Sequence, residues 1–229
     1  MDDILEQIRQ RQSDRVPFDP ERAVSDQDVR RILEAGAWAP TAHNMQNFEV
    51  IVVDNRAILG EIAAIHRPIS REFIRENYEQ LSFSEEELKK RKVGLLAAMF
   101  PPFMRTRAGE IPKEGAAPFL PAPVLLVVLY DPRRRAPASR GDFLGIMSLG
   151  CVMENMWLAA KNRGLGFHIV SALSAPPLAK EVRRILRIPE HLQIAFTVRL
   201  GYPAVPPSAY LRVRRDVEDF AHRNRYESH

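Results

Sequence analysis

The sequence predicts an α+β fold of the three-layer α/β type. Helical and strand-like hydrophobic patterns alternate only loosely along the chain, and the connections between helices are long. Gly164-Leu165-Gly166 follows a helical pattern and not a strand, so the strand, glycine turn and helix of dinucleotide-binding domains are missing. The alternation alone fits either an α/β or an α+β fold.

Composition predicts one domain with a packed core. The chain has 229 residues, 45% of them hydrophobic, and no shift in composition indicates a second domain. The formal charge of +4 comes from 33 basic and 29 acidic residues that are scattered along the chain. Nucleic-acid binding proteins usually gather basic residues on one helix or stripe, so we expect no nucleic-acid partner.

The chain has the features of a cytoplasmic protein. Cys151 is the single cysteine, which excludes an internal disulfide and is typical of a reducing compartment. The first residues are acidic and lack the apolar core of a signal peptide. The longest apolar run, Val124 to Tyr130, is too short to cross a bilayer, so we expect no membrane partner. The histidines lack ligand spacing, and no metal is predicted.

Three helices and one strand are predicted before residue 68. Apolar residues at helical spacing indicate an amphipathic helix over residues 1–10. Ser25 begins a second helix, with Asp28 three residues later as in a capping box. The β-branched run Phe48–Val53 predicts a buried strand, and a short helix over residues 58–65 follows.

Residues 68–120 are expected to form a lid or substrate-selecting insertion. Ser84 with Glu87 indicates another capping box, and the helix that it opens becomes apolar toward Phe100. A long loop rich in proline and glycine comes next. A connection of this length in a compact domain is usually functional. The alternative is an insertion that only packs on the surface.

Strands and helices continue to alternate after the insertion. They are predicted in the order strand Pro123–Asp131, helix Phe143–Arg163, strand Phe167–Val170, helix Pro177–Leu186 and strand Leu192–Leu200. The helix Phe143–Arg163 is apolar on nearly all sides, so we expect it to be buried, and Gly164 provides its C-terminal cap. Gly201-Tyr202-Pro203 is predicted to be a turn before an extended basic tail.

Two arginine clusters near opposite ends of the chain predict a bound polyanion. They are Arg11-Gln12-Ser13-Asp14-Arg15 and Arg212-Val213-Arg214-Arg215. A guanidinium fork matches a phosphate group bidentately. The amide-rich loop Ala39–Phe48 suits the edge of a heteroaromatic ring, so the three segments together predict a phosphorylated flavin. The alternative for Arg11 and Arg15 is ordinary salt bridging at the surface.

These segments, in this order, resemble the FMN-dependent nitroreductase family. The matching motifs are the Arg-x-Ser-x-Arg entry, the Ala-Pro-Thr-x-x-Asn-x-Gln loop, the helix end Arg163-Gly164-Leu165-Gly166, Leu200-Gly201-Tyr202-Pro203 and the arginine-rich tail. The match spans nearly the whole chain and is poorest over residues 68–120. The resemblance implies a nitroreductase-like fold with a central, mainly antiparallel sheet flanked by helices. It also implies a homodimer in which the C-terminal tail extends onto the partner subunit.

The resemblance further implies a set of FMN-binding residues. Arg11 and Ser13 would hold the phosphate with Gln12 beside them, and Arg15 would lie near the pyrimidine edge of the ring. The residues that would line the ring, usually from the partner subunit, are Pro40, Thr41, Ala42 and Asn44. Backbone N–H groups at Ser171 and Ala172 would face flavin N5 and O4. The tail arginines expected near the phosphate are Arg212, Arg214 and Arg215.

Several of these residues have other possible roles. Asn44 and Gln46 could simply satisfy backbone groups of their loop, and residues 171–172 could be an ordinary strand end. The loop departs from the family pattern because Thr41 stands where serine is common and Asn47 replaces a proline, so its turn should differ. The residues expected to contact the substrate are His43, Phe103 and Arg105.

The resemblance implies an oxidoreductase in which NAD(P)H reduces FMN, and the flavin then reduces a nitroaromatic, a quinone or a related acceptor by ping-pong hydride transfer. No catalytic residue is assigned, since flavin N5 carries the chemistry. Reductive dehalogenation, enone reduction and oxygen-dependent flavin fragmentation are alternatives on the same fold. Two hypotheses without catalysis also stay open: a flavin-binding protein without turnover, and a basic interaction module that uses Arg133–Arg135.

Overall fold

A computed structural model describes residues 3–66, 121–206, 214 and 216–226 of the chain. The chain divides into two compact units. The first comprises Met1–Arg67 and Gly115–Pro206, and the second comprises Pro68–Glu114 and Pro207–His229. In the second unit the described part contains one short 3-10 helix, Val217–Asp219, which Asp216 caps. The predicted lid over residues 68–120 lies outside the described residues, and the single domain stays a prediction.

The described part of the first unit is built on a four-stranded antiparallel sheet. Its strands are β1 (Phe48–Val53), β2 (Val124–Tyr130), β3 (Gly166–Ile169) and β4 (Gln193–Gly201). Their order across the sheet is β1-β2-β4-β3, and each neighbouring pair is antiparallel. The predicted strands and the expected mainly antiparallel sheet are therefore confirmed.

The described residues form five α-helices: four cover the two faces of this sheet, and the first contacts the fourth. They are α1 (Ile4–Gln10), α2 (Asp26–Ala37), α3 (Arg56–Ala63), α4 (Phe143–Asn162) and α5 (Pro176–Leu186). One hydrophobic core lies between the sheet and the pair α2 and α4, and a second lies between the sheet and the pair α3 and α5. The predicted three-layer arrangement is confirmed.

Strand β2 supplies both cores because its side chains alternate between the two faces of the sheet. Val124, Leu126 and Val128 pack against α2 and α4, whereas Leu125 and Val127 pack toward α3 and α5. All five are at most 3% exposed. A strand that is buried on both faces needs a continuous apolar run, as this sequence provides.

The predicted cap at Ser25 fixes the start of α2. The Ser25 hydroxyl accepts a hydrogen bond from the Asp28 N–H at 3.1 Å and donates one to the Asp28 carboxylate at 2.8 Å. Arg163, just beyond α4, donates from Nε to the same carboxylate at 2.6 Å. The Ser25 and Arg163 contacts lower the pKa of Asp28 below its usual 3.8. The start of α2 is thus joined to the end of α4.

The predicted glycine cap at the end of α4 is also present. Gly164 has φ +71°, the left-handed region that favours glycine. The Leu165 N–H donates to the Ala160 carbonyl at 3.0 Å, and the Gly164 N–H donates to the Lys161 carbonyl at 2.9 Å. These two bonds define a Schellman motif, which ends α4 and directs the chain into β3.

Two expectations from the sequence are wrong. The first turns of α4 are not buried, because Phe143, Ile146 and Met147 are 61%, 57% and 55% exposed. The segment Gly201-Tyr202-Pro203 is not a turn: β4 includes Gly201, and Pro203 continues in extended form to pair with Phe18. The apolar pattern of α4 does not distinguish a core face from an exposed apolar face, and Gly-Tyr-Pro fits a strand end as well as a turn.

By length and composition alone, α4 could cross a membrane. The helix was not identified as such from the sequence, because only the longest uninterrupted apolar run was considered. In the described fold it packs against α2 and the sheet, and Ser148, Leu149, Val152, Met156, Trp157 and Ala160 are buried. The absence of a membrane partner and the cytoplasmic location stay predictions.

Gly166→Ala should destabilise the fold by about 1–3 kcal/mol, the usual effect of overpacking. A Cβ at residue 166 would lie 2.6 Å from Cε1 of Phe18, which is 3% exposed and cannot move aside. Gly60→Ala in α3 is the matched control, because its Cβ would meet nothing within 4 Å. That change should stabilise the protein by up to about 1 kcal/mol through helix propensity. Equal urea midpoints for both variants would contradict the assignment of a close contact at Gly166.

Candidate functional site

The first predicted arginine cluster lies beside β3. The Asp14 N–H donates to the Phe167 carbonyl at 3.1 Å, and the Phe167 N–H donates to the Asp14 carboxylate at 3.1 Å. Asp14, Val16 and Phe18 are at most 3% exposed, whereas Ser13 and Arg15 on either side of Asp14 are only partly buried. The Arg15 N–H donates to the Ser13 carbonyl at 3.1 Å, so the backbone turns tightly at Asp14. Asp14 is therefore held in the core while Ser13 and Arg15 keep part of their surface accessible.

Asp14 is a structural acid that the sequence reasoning did not single out. Burial raises its pKa above the usual 3.8, and the hydrogen bond from the Phe167 N–H partly opposes that shift. Its carboxylate holds the edge of β3, so it fixes the position of the neighbouring Ser13 and Arg15. The sequence signal that could have revealed this role is the position of Asp14, two residues before the apolar Val16 and four before Phe18.

Arg11 has a carboxylate neighbour within the chain. Its Nε lies 2.9 Å from Oε1 of Glu154 on α4, and its guanidinium carbon lies 4.5 Å from the centre of the Trp157 ring. The indole N–H of Trp157 donates to the Gln12 carbonyl at 3.1 Å. The salt bridging considered for Arg11 is present, so a phosphate held by Arg11 would share its guanidinium with Glu154.

The loop that was expected to line a ring has an unusual backbone. His43, Asn44 and Gln46 have φ values of 51°, 53° and 45°, in the left-handed region that residues other than glycine rarely adopt. Three such residues in four positions cost free energy, and backbone strain of this kind is concentrated at functional sites. The exposed side chains of His43 and Asn44 face away from the described core.

Hydrogen bonds to α4 and within the loop hold this conformation. The Ala42 N–H donates to the hydroxyl of the buried Ser148 at 2.9 Å, and that hydroxyl donates to the Leu144 carbonyl at 2.7 Å. The Gln46 N–H donates to the Thr41 hydroxyl at 3.2 Å. Thr41 thus uses the hydroxyl that it shares with serine to close the loop.

The side-chain amides of the loop are used unequally. Gln46 Nε2 donates to Oδ1 of Asn44 at 2.9 Å, so this pair is partly satisfied within the loop. Asn47, which replaces the usual proline, is buried, and its Nδ2 lies 3.4 Å from the Arg134 carbonyl. The amide of Asn47 ties the loop to the segment after β2, a bond that proline could not make. Pro40 is exposed at the loop entrance.

Ser171 and Ala172 open a 3-10 helix, Ser171–Ser174, directly after β3. Residue Val170 before them is fixed to Thr197 of β4: its N–H donates to the Thr197 carbonyl at 2.8 Å and its carbonyl accepts from the Thr197 hydroxyl at 2.7 Å. The first N–H groups of a helical turn have no partner within that turn. Residues 171–172 are therefore suited to present N–H donors, as the resemblance implies.

The described tail contributes one predicted site residue. Arg214 is described and exposed, whereas Arg212, Arg215, Phe103 and Arg105 lie outside the described residues. The assignment of the tail arginines to phosphate, and of Phe103 and Arg105 to substrate, stays a prediction.

Sequence reasoning missed a buried arginine on β4. It lies next to the segment of residues 11–16, which we call the cationic segment. Arg199 is 0% exposed. Its Nη1 lies 2.9 Å from Nδ1 of His168, and its Nη2 donates to the carbonyls of Val16 and Pro121 at 3.1 and 3.2 Å. The ring of Phe18 lies 4.4 Å from its guanidinium carbon. An arginine inside a predicted buried strand, Leu192–Leu200, is the signal that could have found it.

The pair Arg199 and His168 has shifted pKa values. Burial lowers the pKa of Arg199 to about 10, so the guanidinium remains charged at neutral pH. Burial and then the charges of Arg199 and Arg15 lower the pKa of His168 well below 6.5. The imidazole is therefore neutral and can accept a hydrogen bond from Arg199 through Nδ1.

The architecture that emerges is a mixed fold in which helices flank an antiparallel sheet, with a cationic segment, a strained loop and a 3-10 turn around β3 and α4. The chain belongs to the nitroreductase family of oxidoreductases, whose sequence model matches residues 8–202.

Similar proteins align with nearly the whole chain. A protein of Archaeoglobus fulgidus with the provisional name NADH dehydrogenase/NAD(P)H nitroreductase is 26% identical and aligns over 99% of this chain and 100% of its own length. A nitroreductase with bound FMN from Bacteroides fragilis is 23% identical, with a TM-score of 0.61 over 98% of this chain and 100% of that one. A nitroreductase with bound FMN from Desulfitobacterium hafniense has the same identity, TM-score and coverage.

Acid should destabilise the protein through His168. Its folded-state pKa lies below the unfolded value of about 6.5, so the unfolded state binds more protons as the pH falls from 7 to 5. The free energy of unfolding should then decrease with a slope of at most about 1.4 kcal/mol per pH unit from this group. His168→Gln keeps an acceptor for Arg199 and should flatten the dependence, measured by urea unfolding at pH 7 and pH 5.

His43→Gln, in the exposed loop, is the control for this measurement and should leave the slope close to that of the wild type. A slope for His168→Gln equal to that of the wild type would show that His168 is not held neutral by its surroundings.

Proposed function

We propose that this protein binds FMN, takes hydride from NADH or NADPH and reduces an electrophilic acceptor such as a nitroaromatic or a quinone. The observation that carries the proposal is the segment beside β3 in which the buried Asp14 is flanked by the partly accessible Ser13 and Arg15, in a chain of the nitroreductase family. The bound FMN of the Bacteroides fragilis and Desulfitobacterium hafniense nitroreductases supports the choice of cofactor.

The donors present suit the groups of a flavin mononucleotide. Arg11, Ser13 and Arg15 supply two guanidinium groups and a hydroxyl, which are donors that a phosphate or an anionic ring edge accepts. The N–H groups of Ser171 and Ala172 would donate toward the N5 edge, because they open a turn and lack partners within it. FMN would supply the hydride chemistry when bound.

The protein's own contribution is binding, orientation and electrostatics. Asp14 and Phe167 would hold Arg15 in place, and Thr197 would hold the strand end at Val170 before the N–H donors. A cation at Arg15 would favour the negative charge that the ring gains on reduction. No protein acid or base is assigned, and water can supply the proton that the acceptor takes up.

A homodimer with shared sites is part of the proposal. Ser148, which holds the loop, and Trp157, which supports the cationic segment, are nine residues apart on α4. That spacing corresponds to about 14 Å along the axis and half a turn around it. The loop and the cationic segment of one subunit are thus on different sides of α4. Both could line one ring if the loop came from the partner subunit.

Exposed apolar residues support the same assembly. Phe143, Ile146 and Met147 form one stripe at the start of α4 and are each at least 55% exposed. Trp38, just before the loop, is 82% exposed. Apolar surface of this kind in a soluble fold marks an interaction face. A second copy packed along α4 would cover the stripe and bring the partner's loop to the cationic segment.

Purified protein should be yellow or gain flavin absorbance on addition of FMN, and NADH or NADPH should bleach it without oxygen. Subsequent addition of a nitroaromatic or a quinone should restore the colour. Protein that stays colourless and does not bind added FMN would refute the proposal. Bound FMN that neither nucleotide bleaches would indicate a flavin-binding protein without turnover.

Arg15→Gln should weaken FMN binding about tenfold or more, because a hydrogen bond to a charged group contributes about 1.5–3 kcal/mol. Fluorescence titration of the apoprotein with FMN measures the change. Arg30→Gln on the exposed side of α2 removes one positive charge elsewhere and should leave the affinity unchanged. Equal losses for the two variants would mean that only net charge matters and that Arg15 does not contact FMN.

Ile146→Glu should convert the dimer to monomers and release FMN, because it places a charge in the apolar stripe of α4. Sedimentation velocity gives the oligomeric state, and absorbance gives the FMN content. Gln27→Glu adds the same charge at an exposed position of α2 and should leave a dimer. A monomeric wild type with full FMN occupancy would exclude a shared site.

A further inference from the structure

The buried guanidinium of Arg199 has only neutral partners among the described residues. Its contacts there are the imidazole of His168, the carbonyls of Val16 and Pro121, and the ring of Phe18. Its Nε is buried and makes no hydrogen bond within the described part of the chain. Burial is the cause of its lowered pKa, and no carboxylate of the described residues opposes that shift. Arg199 is therefore a buried positive charge without a compensating negative charge nearby in the described fold.

Such a charge is costly for folding alone. Removing a cation from water costs several kcal/mol after relaxation, and neutral hydrogen bonds recover only part of that cost. An apolar side chain of similar length would fill the same space on β4 at lower cost. The neighbouring acid, Asp14, is held by Phe167, and the cations that act on it are Lys161 and Arg15. Among the described residues no carboxylate compensates Arg199, and an anion bound at the neighbouring site would do so.

The cationic segment connects Arg199 to the proposed flavin site. Arg199 donates to the carbonyl of Val16, the residue that follows Arg15. Arg15 and Arg199 both act on His168, which follows Phe167 on β3. The imidazole between them is neutral, so it does not cancel the positive charge of either arginine. Arg15 and Arg199 therefore both contribute positive charge around His168, next to the segment proposed to bind the ring.

We propose that Arg199 is a positioning residue that holds the Arg15–Val16 backbone and whose buried charge favours the anionic reduced form of FMN over the oxidised form. This inference rests on the proposed function, since it concerns the same site. At an effective dielectric constant of about 20, a buried unit charge changes the equilibrium of a neighbouring charged group about tenfold when the two are roughly 10 Å apart, and we take this as the expected size of the effect. The reduced flavin should accordingly bind more tightly than the oxidised flavin.

Two variants separate the charge from the hydrogen bonds. Arg199→Gln keeps N–H donors for the carbonyls of Val16 and Pro121 but removes the charge, whereas Arg199→Lys keeps the charge with fewer donors. The dissociation constants of oxidised and of dithionite-reduced FMN are measured for each protein, together with the midpoint potential. We expect Arg199→Gln to lose about tenfold of the preference for reduced FMN, which corresponds to about 30 mV for a two-electron couple. Arg199→Lys should retain most of it.

Arg163→Met is the matched control, because it removes a guanidinium that Asp28 already neutralises. Its midpoint potential should equal that of the wild type. Unchanged redox preference in Arg199→Gln would overturn the inference, and equal losses in the glutamine and lysine variants would reduce Arg199 to a purely positional role and overturn its electrostatic part.

The wild type provides a test that does not depend on the folding of any variant. Equal affinity of the wild type for oxidised and reduced FMN would overturn the inference even if neither Arg199 variant folds. Failure of the wild type to bind FMN in either state would instead refute the proposed function. If the wild type binds FMN and NAD(P)H bleaches it, but substitutions at residue 199 leave the preference for reduced FMN unchanged, only the inference is refuted.

Discussion

Strand β2 must be covered on both faces, and the arrangement of the first unit follows from that requirement. Its alternate residues enter two separate cores, so helices are needed on both sides of the sheet. β1 pairs with one edge of β2 from Leu125 to Tyr130, and β4 pairs with the other edge. β4 in turn pairs with β3, which places the cationic segment at the far edge of the sheet. The position of the candidate site at this edge therefore follows from the order of the strands.

Helix α4 connects the parts of the site. Near its start Ser148 holds the strained loop, in its second half Glu154 and Trp157 contact Arg11 and Gln12, and Arg163 just beyond its end binds the cap of α2. The helix contributes to the first core through its buried stripe while its first turns keep an exposed apolar stripe. One element therefore supports the core, the loop and the proposed contact with a second subunit.

Local patterns in the sequence predicted the helices and strands but not the polar contacts between residues far apart in the chain. The apolar runs of β1 and β2, the Ser25 cap and the Gly164 cap each depend on a few neighbouring residues, and all of them were predicted. Asp14 and Arg199 were not, because their roles depend on partners far along the chain, Phe167 for one and Val16 and Pro121 for the other. The exposed start of α4 was mispredicted because an apolar run does not distinguish a face packed in the core from an apolar face that stays exposed.

The order of the strands determines how this sheet can be completed during synthesis. β4 is the last strand of the described sheet to be made, yet it lies between β2 and β3, which are made before it. Until Gly201 has left the ribosome, one edge of β2 and one edge of β3 have no neighbour to pair with. Unpaired strand edges favour aggregation in incomplete chains. The nascent chain is thus most vulnerable during translation of the roughly thirty residues between β3 and the end of β4, when a chaperone that shields strand edges would have most effect.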